Sequence, residues 1–437
     1  MLDIKFIREN AEKVQEAAKN KNINIDINDL LKIDDERKEI LSKIEQLRAK
    51  RNELAQLGKQ GKPTDEQIKK GREIKEKLAV LEERQYEVDE KYNKMMVKVP
   101  TIPSSDTPVG KDDSENVEVK KWGDIPEFNF KIKDHIQLGR ELDLIDLDRG
   151  VKVSGYRGYY LKNEAVSLQM ALMMLALEKL ILKGFRPIIP PTLVKEFVLF
   201  GSGYFAGHEY NSEKDEIYKI ANEEIEADGN KNKEDKFLIG TAEPSLLAYY
   251  SGEVLEAKDL PMKLCGFSQC YRSEIGSYGK DTKGMYRVHE FMKVEMVGLS
   301  PADIETAEKM HQEMVSISEE LHQDLKLPYR KLQICTGDMS AGKYKMYDLE
   351  AWIPSRNGYG ETGSASNFLD WQSRRLNVRY KDAEGNKKFV YMLNNTALAS
   401  ARTLIAILEN NQQADGSIII PEVLRKWMPG NLDRIQR

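Results

Sequence analysis

The feature that most constrains the fold of this chain is a long segment, residues 28–99, that is nearly free of glycine and proline. In its first half, apolar residues recur at every seventh position, at Ile33, Ile40, Leu47 and Leu54. In its second half, they alternate by four and three, at Ile74, Leu78, Leu81, Val88, Tyr92, Met95 and Val99, with polar Gln85 in the same row. A repeat of this kind is typical of the seam of a coiled coil.

The repeat is interrupted by LGKQGKPTDEQ, residues 57–67. Two glycines and Pro63 end the first helix, and Thr64 followed three residues later by Gln67 is a capping pattern for the second. The simplest structure is therefore an antiparallel α-helical coiled-coil hairpin. At 1.5 Å per residue each leg would be about 40–55 Å long, which is more than a globular domain needs.

The end of this hairpin is basic. Between residues 48 and 72 the cations are Arg48, Lys50, Arg51, Lys59, Lys62, Lys69, Lys70 and Arg72, against three carboxylates. The local charge of +5 contrasts with a formal charge of −5 for all 437 residues. The segment is either a solvated turn or a contact for a phosphate backbone, and its place at the end of a protruding arm favours the second interpretation.

Cysteine content and hydropathy limit the class of protein. Cys265, Cys270 and Cys335 form no CxxC pair, which excludes a disulfide scaffold and predicts reduced, partly buried thiols. The first ten residues are charged throughout and lack the apolar core of a secretory signal. The longest apolar segment, 166–182, contains charged residues, so we expect a buried helix, no membrane partner and a cytoplasmic location.

A Pro/Ser/Asp-rich linker, residues 100–115, leads into a mixed region. Strand-like segments are KLCGFSQCYRS, RVHEFMKVEMVGL, YKMYDLEAWIP and RRLNVRYK, at 263–273, 287–299, 344–354 and 374–381. Helical patterns cover 164–183, 301–324 and 398–410. Because the strands follow one another without a helix each time, the predicted class is α+β, an antiparallel sheet flanked by helices.

Residues 265–297 are predicted to form a strand, a Gly/Lys-rich loop and a returning strand. Arg272 and Glu274 alternate along the first strand, and Phe291 lies on the second, so we expect them on one face. A guanidinium can grip a phosphate, a carboxylate can accept from an exocyclic amine, and an aromatic ring can stack on a base. The face therefore suits a nucleotide, and cross-strand ion pairs on a solvated sheet are the alternative.

Three motifs occur in the order that is found in class II aminoacyl-tRNA synthetases. GFRPIIPP at 184–191 resembles motif 1, Tyr271-Arg272-Ser273-Glu274 resembles motif 2, and ARTLIAILEN at 401–410 resembles motif 3. The segment TAEPS at 241–245, ETGSASNFLDWQSRR at 361–375 and the hairpin narrow the resemblance to the seryl-tRNA synthetases of the bacterial type. The resemblance covers essentially the whole chain.

The resemblance implies a class II synthetase-like sheet, a tRNA-binding helical domain at 1–108 and a catalytic domain at 109–437. It implies an enzyme that activates L-serine with ATP to seryl-adenylate and passes serine to the 3′-terminal adenosine of tRNA(Ser), with tRNA(Sec) as a second candidate. The implied ATP contacts are Arg272, Ser273, Glu274, Val288, Phe291, Glu361, Thr362, Gly363, Ser364 and Arg402. Arg272 and Arg402 are the implied catalytic residues, and Glu361 and Ser364 the implied ligands of Mg²⁺.

The serine contacts implied by the resemblance are Thr241, Ala242, Glu243, Glu295 and Thr396. Carboxylates can neutralise the substrate ammonium and accept from its hydroxyl, and a site built to bond a hydroxyl rejects alanine because its polar groups would be left unpaired. In the family, motif 1 forms the interface of a homodimer, and the hairpin reaches across it to the long variable arm of the tRNA.

Some positions depart from the family pattern. Gly363 stands where the family usually has a second serine, and LNNTALASAR, the approach to motif 3, lacks the glycines that are common there. None of these changes removes a presumed catalytic residue. The competing interpretation is a non-catalytic tRNA-binding paralog of the same fold, which would be expected to have lost the groups that grip ATP; this chain keeps them.

Overall fold

The structure is a computed structural model that describes residues 2–57, 64–205, 207, 209–221, 234–275 and 283–437. The chain divides into two compact units, Met1–Pro100 and Thr101–Arg437. The division falls at the start of the Pro/Ser/Asp-rich linker.

The first unit is helical. Its helices are α1 (Ile4–Glu9), α2 (Ala11–Asn20), α3 (Ile27–Leu57) and α4 (Asp65–Met96). With 31 and 32 residues, α3 and α4 are each about 45–50 Å long. Arg37 pairs with Asp89 and Arg48 with Glu82, so the partner's number falls as the first rises. The two helices are therefore antiparallel, and the predicted hairpin is confirmed.

The seam of the hairpin is built from the apolar repeat. Its buried residues are Ile40, Ile44, Leu78 and Val88. Arg37 interrupts the row, and its guanidinium Nε lies 2.5 Å from Asp89 Oδ1 and its Cζ 4.9 Å from the Tyr92 ring.

Helix α4 begins with the predicted cap. Thr64 Oγ1 accepts from the Gln67 backbone N–H at 3.3 Å, and Gln67 Oε1 accepts from the Thr64 N–H at 2.8 Å. This reciprocal pair satisfies donors that the first turn of the helix leaves open. Lys59 and Lys62 lie outside the described residues.

The second unit contains the remaining helices and all described strands. The helices are α5 (His135–Glu141), α6 (Leu147–Ser154), α7 (Glu164–Leu182), α8 (Glu196–Ser202), α9 (Glu243–Ala248), α10 (Ile304–Asp324), α11 (Trp371–Leu376) and α12 (Ser400–Asn410). Short 3₁₀ turns occur at Asp113–Glu115, Ala257–Asp259, Thr336–Asp338, Pro354–Arg356, Glu422–Trp427 and Pro429–Asn431.

The strands of this unit form one large sheet and several small ones. They are β1 (Val117–Trp122), β2 (Ile145–Asp146), β3 (Tyr160–Leu161), β4 (Arg186–Ile188), β5 (Leu193–Lys195), β6 (Tyr218–Lys219), β7 (Lys236–Leu238), β8 (Val254–Glu256), β9 (Met262–Tyr271), β10 (Glu290–Ser300), β11 (Tyr329–Gln333), β12 (Lys345–Ile353), β13 (Gly358–Asn367), β14 (Arg379–Lys381), β15 (Lys387–Phe389), β16 (Tyr391–Ala399), β17 (Ile418–Ile419) and β18 (Arg434–Ile435). The large sheet has the order β1-β11-β12-β13-β16-β10-β9-β4. Its pairs are antiparallel except β4 with β9, which confirms the α+β class.

Helices pack on this sheet through a shared core. In α7, Leu168, Leu172 and Leu175 join the buried cluster that contains Val294 and Met296 of β10. By length and composition α7 is the one helix of the described chain that could span a membrane, and 44% of its apolar window is buried within the protein. The three cysteines are free and buried, as the sequence predicts.

One predicted strand is partly wrong. In the segment RRLNVRYK, residues 374–376 close the short helix α11, and only Arg379–Lys381 form a strand. Arg374 Nε donates to Asp370 Oδ2 at 2.8 Å one turn earlier, and Asn377 ends the helix with a left-handed φ of 55°. The local ion pair and this stop decide the conformation over the β-branched pattern that follows.

Candidate active site

A cleft lies over the central strands of the large sheet. Its lining residues come from the turn after β9, from the chain that leads into β10, from β10, β13 and β16, and from the first turn of α12. They are Arg272, Glu274, Tyr286, Arg287, Val288, Phe291, Lys293, Glu361, Thr362, Gly363, Thr396, Ala399, Ala401 and Arg402. Eight of the ten residues predicted to contact ATP line the cleft. The other two, Ser273 and Ser364, adjoin lining residues in the chain.

Arg272 enters the cleft just past the end of β9. Its backbone N–H donates to the His289 carbonyl at 2.9 Å, which continues the pairing with the returning chain. Its side-chain Nε donates to the Gly240 carbonyl at 3.3 Å, and its guanidinium carbon lies 5.5 Å from the centre of the Phe291 ring. A fixed cation and an aromatic face therefore border the same space.

The expected alternation of Arg272 and Glu274 along one strand is wrong. Strand β9 ends at Tyr271, and Glu274 adopts a left-handed φ of 54°. Its carboxylate Oε2 accepts from Arg287 Nη1 at 3.2 Å, so both chains of the hairpin contribute to this wall. The two residues share the cleft because of a turn and not because of strand periodicity.

Arg402 closes the opposite wall. Its Nη1 lies 3.0 Å from both the carboxylate Oε2 and the backbone carbonyl of Glu361, and its Nε donates to the Tyr286 carbonyl at 3.2 Å. Burial raises the pKa of Glu361, but the neighbouring Arg402 charge outweighs burial and the net pKa lies below its ordinary value. Glu361 is therefore ionised in the cleft.

A β-bulge controls which residues of β13 face the cleft. Opposite β12, β13 carries one extra residue, Thr362. Residues three apart in a regular strand face opposite sides, and the extra residue instead brings Glu361 and Ser364 onto one face. They pair with Glu350 and Asp348 of β12, which alternate on that same face.

The two sides of the bulge differ in their hydrogen bonding. Thr362 Oγ1 lies 2.8 Å from Nε2 of buried His322 in α10 and donates to the Leu349 carbonyl at 3.1 Å. On the other side Asp348 Oδ1 is buried and has no hydrogen-bond partner within the part of the chain that the structure describes. Burial and the nearby Glu361 carboxylate raise the pKa of Asp348. Among the described residues, Asp348 forms no ion pair, although the charge of Lys343 acts on it and opposes the rise of its pKa.

A second polar cluster surrounds Glu243 at the start of α9. Its Oε1 accepts from Gln372 Nε2 at 2.7 Å and from Asn394 Nδ2 at 2.8 Å, and its Oε2 accepts from the Tyr204 hydroxyl at 2.9 Å. Burial, followed by repulsion from Glu295, raises the pKa of Glu243 to about 7. An ammonium placed here would favour the ionised form of the carboxylate.

Glu295 joins this cluster to the cleft. Its Oε2 lies 2.8 Å from Lys293 Nζ and accepts from Thr396 Oγ1 at 3.2 Å. Thr241 Oγ1 is buried and has no hydrogen-bond partner among the described residues, and Ala242 is buried beside it in the chain. Of the five predicted serine contacts, Thr396 lines the cleft and Glu295 accepts a hydrogen bond from Thr396. The other three, Thr241, Ala242 and Glu243, lie in the segment at the start of α9.

Sequence reasoning missed four residues that shape these walls: Tyr204, Tyr286, Gln372 and Asn394. Asn394 could have been found, because it lies two residues before Thr396 in β16 and strand alternation puts both on one face. Tyr286 lies within the segment 265–297 that the sequence predicts to bind the nucleotide, two residues before Val288. Tyr204 and Gln372 come from separate segments, and only the tertiary structure brings them to Glu243.

On the hairpin, the described candidates for tRNA contact are all exposed: Arg48, Lys50, Arg51, Lys69, Lys70 and Arg72. Arg48 pairs with Glu82 and Lys70 with Glu66, both through exposed groups. Within the described part of the hairpin, the other four form no ion pair. This keeps most of the local positive charge available to solvent.

Comparison with known proteins gives consistent matches for both units. Residues 218–411 match the family model of the tRNA synthetase class II core domain (G, H, P, S and T), and residues 1–103 match that of the seryl-tRNA synthetase N-terminal domain. Two relatives, both named serine–tRNA ligase, come from Treponema denticola and Borreliella afzelii. Each is 44% identical, over 97% and 98% of this chain respectively and over 98% of the relative.

A solved structure has the same overall fold. It is the seryl-tRNA synthetase from Pyrococcus horikoshii complexed with ATP, which superposes with a TM-score of 0.87 at 38% identity. The match covers 100% of this chain and 99% of that chain. The similarity therefore includes both units and the complete large sheet.

Proposed function

This chain belongs to the seryl-tRNA synthetase family, and we propose that the residues gathered in its cleft carry out the reaction of that family. The chain is a class II aminoacyl-tRNA ligase that activates L-serine with ATP and transfers serine to the 3′-terminal adenosine of tRNA(Ser). The convergence of Arg272, Glu361 and Arg402 in one cleft beside the Glu243 cluster supports this most strongly. A non-catalytic tRNA-binding paralog would have no need of that convergence.

We assign the ATP contacts to the residues that line the cleft. Arg272 takes the α-phosphate and neutralises the charge that develops when the serine carboxylate attacks it. Phe291 stacks on the adenine, Glu274 accepts from the adenine amino group, and Arg402 covers the other face of the base and reaches the γ-phosphate. The 5.5 Å approach of Arg272 to Phe291 supports this division, because phosphate and base then meet adjoining groups.

Mg²⁺ is assigned to the face of β13 that the bulge creates. Glu361 and Ser364 would hold the ion. On the same face the buried Asp348 Oδ1, which has no hydrogen-bond partner among the residues described, fits a hard cation. Within the described residues no group of three or more His, Cys, Asp or Glu is arranged as a metal site, so phosphate oxygens would complete the coordination. The ion would neutralise phosphate charge.

Serine is assigned to the second cluster. Thr241, Glu243, Glu295 and Thr396 surround its ammonium and hydroxyl, with Ala242 beside them. The buried Thr241 Oγ1 finds no hydrogen-bond partner in the described ranges, and a substrate group would supply one. Alanine would leave these polar groups unpaired, which accounts for its rejection.

The basic hairpin is assigned to tRNA. We propose residues 1–108 as the tRNA-binding domain and 109–437 as the catalytic domain. Exposed cations Lys50, Arg51, Lys69 and Arg72 suit phosphate contacts that read shape rather than sequence. Recognition of this kind would not depend on the anticodon and would also admit tRNA(Sec).

A homodimer and a cytoplasmic location complete the proposal. Helix α7 exposes Val166, Met170 and Met174, four residues apart on one face and 46%, 40% and 43% exposed. Strand β4, within motif 1, lies at the edge of the large sheet, and Ile189 just after it is 82% exposed. An apolar stripe beside an unpaired strand edge favours a second copy as the partner.

The decisive experiment is serine-dependent exchange of labelled pyrophosphate into ATP. Alanine, threonine, glycine and cysteine, each tested in place of serine, are the controls. We expect exchange with serine alone and a loss of at least about 10²-fold in Arg272→Ala. Lys263→Ala is the matched control, because Lys263 lies on β9, the strand that ends just before Arg272, and bonds Glu313 outside the cleft. Folded wild-type protein that exchanges with no amino acid would contradict the proposed residue roles and the catalytic assignment.

A further inference from the structure

One buried histidine touches the cleft machinery without lining the cleft. His135 is the first residue of α5 and is 8% exposed. Its Nδ1 and its backbone N–H both lie 2.9 Å from Oε1 of Glu409, a fully buried residue of α12. The other carboxylate oxygen, Oε2, accepts from the Ser355 N–H at 3.0 Å. Glu409 is therefore fully engaged on the side away from the cleft.

The opposite nitrogen of the ring binds the returning chain of the motif 2 hairpin. The Met285 backbone N–H donates to His135 Nε2 at 3.2 Å. Because an amide N–H can only donate, Nε2 carries no proton, and the ring proton sits on Nδ1 and is donated to Glu409. Gly284, with a φ of +73°, allows this approach, since a Cβ there would lie 2.1 Å from Nε2.

The residue after Met285 lines the cleft. The Tyr286 carbonyl accepts from Arg402 Nε at 3.2 Å, and its hydroxyl donates to the Glu361 carbonyl at 3.4 Å. Its ring lies 3.8 Å from the Arg356 guanidinium carbon and 4.5 Å from that of Arg402. Tyr286 thus fixes both members of the Arg402–Glu361 pair.

Helix α12 therefore holds two successive residues of the hairpin from two points. Arg402, in its first turn, binds Tyr286 directly, and Glu409, two turns later, reaches Met285 through His135. We propose that His135 is a positioning residue for ATP: it fixes Met285 so that Tyr286 holds Arg402 and Glu361 in the geometry that grips the nucleotide. This inference rests on the ATP roles proposed above for Arg402 and Glu361.

Two substitutions separate this role from simple support of α5. In His135→Asn, the side-chain amide can still donate to Glu409 from the place of Nδ1, but nothing accepts from Met285. In His135→Gln, the longer side chain can place its amide oxygen near the position of Nε2 and accept from Met285, while the bond to Glu409 is lost. The pair therefore removes one hydrogen bond at a time from the same ring.

We expect His135→Asn to raise the KM for ATP in pyrophosphate exchange about tenfold, the usual effect of a buried donor left unpaired, with the KM for serine unchanged. We expect His135→Gln to keep the KM for ATP within about twofold of wild type. If His135 only supports α5, His135→Gln should raise the KM for ATP more than His135→Asn does, or both variants should lose thermal stability without a change in KM. Either result overturns the proposal.

A second readout does not depend on activity. Hydrogen–deuterium exchange of peptides containing Met285 should be faster in His135→Asn than in wild type and near wild type in His135→Gln, since the Met285 amide is the donor in question. Equal protection in both variants would refute the contact. If the wild-type protein shows no pyrophosphate exchange but the variants still differ in the protection of the Met285 amide as expected, the proposed function is refuted. The contact between His135 and Met285 is then still supported.

Discussion

Two ion pairs of equal length show how differently the two units of this protein are built. Arg48–Glu82 on the hairpin and Lys293–Glu295 in the catalytic unit both have N–O distances of 2.8 Å. The hairpin side chains are 50% and 45% exposed, and those in the catalytic unit 7% and 3%. Water screens the first pair, whereas the second is almost completely buried beside the cleft.

The difference teaches that distance alone does not give the importance of a contact. On the hairpin, each exposed side chain contributes to stability almost independently of the others. The fold there follows from the apolar repeat along the two helices. In the catalytic unit, each polar group is held by groups from distant segments, as Glu243 is held by Tyr204, Gln372 and Asn394. Substitutions should therefore have small, separable effects in the first and large, coupled effects in the second.

The largest expected contrast comes from removing one cation of each pair. Lys293→Met leaves Glu295 charged and buried without its partner and should lower the free energy of unfolding by about 3–5 kcal/mol. Arg48→Met should lower it by less than about 1 kcal/mol. Urea unfolding of both variants measures the two effects, and equal losses would break the comparison.

Glu243→Gln tests whether the buried cluster is coupled to pH. The pKa of Glu243 is about 7 against an ordinary 4.5, so the folded state keeps a proton that the unfolded state loses. Its contribution to stability is complete below pH 4.5 and is lost as pH rises through 7. Between pH 5 and 7.5, without serine, wild type should lose about 2–3 kcal/mol more than the variant. Parallel pH profiles of the two proteins would contradict the buried acid.

Glu361→Gln should reduce pyrophosphate exchange about 10²-fold and raise the Mg²⁺ concentration needed for half-maximal rate, because one charged ligand is removed. Glu350→Gln is its matched control. Glu350 pairs with Glu361 across the strands, but its carboxylate is bonded to Arg330, outside the lining of the cleft. A similar loss in the control would show that the effect comes from disturbing the paired strands and not from losing the Glu361 carboxylate as a metal ligand.

The smallest expected effect is on the hairpin. The double variant Lys69→Ala/Arg72→Ala should raise the KM for tRNA(Ser) in aminoacylation about tenfold and make this KM depend less steeply on salt concentration. Pyrophosphate exchange should be unchanged. Lys91→Ala/Lys94→Ala removes two exposed charges near the other end of α4 and is the control. A loss of exchange in the first variant would show that the two units are not energetically separable.

These contrasts also explain what sequence could predict. The hairpin, with its cap at Thr64, was predictable because the spacing of apolar residues and the capping pattern are local properties. The candidates of the large sheet were predictable as a set through the family resemblance, and most of them line one cleft. Their geometry was not, because the end of β9 at Tyr271 and the turn at Glu274 depend on the returning chain.

Tyr204 and Gln372 were beyond sequence analysis for a related reason. Each lies in a segment whose own pattern describes only a helix end or a short helix, α8 and α11. Their role arises because both segments reach Glu243, a residue distant in the chain from each. A pattern over ten or twenty residues contains no information on such an encounter.

The bulge at Thr362 has a consequence for how this strand can vary. Side chains of β13 that do not face the nucleotide can be exchanged for others that fit, but the number of residues cannot change, because one deletion would restore strict alternation and turn Ser364 away from Glu361. The length of this stretch therefore constrains the site in addition to the identity of Glu361. A library that keeps Glu361 and randomises residues 362–364 at constant length should yield active members, whereas any library that shortens the segment by one residue should yield none.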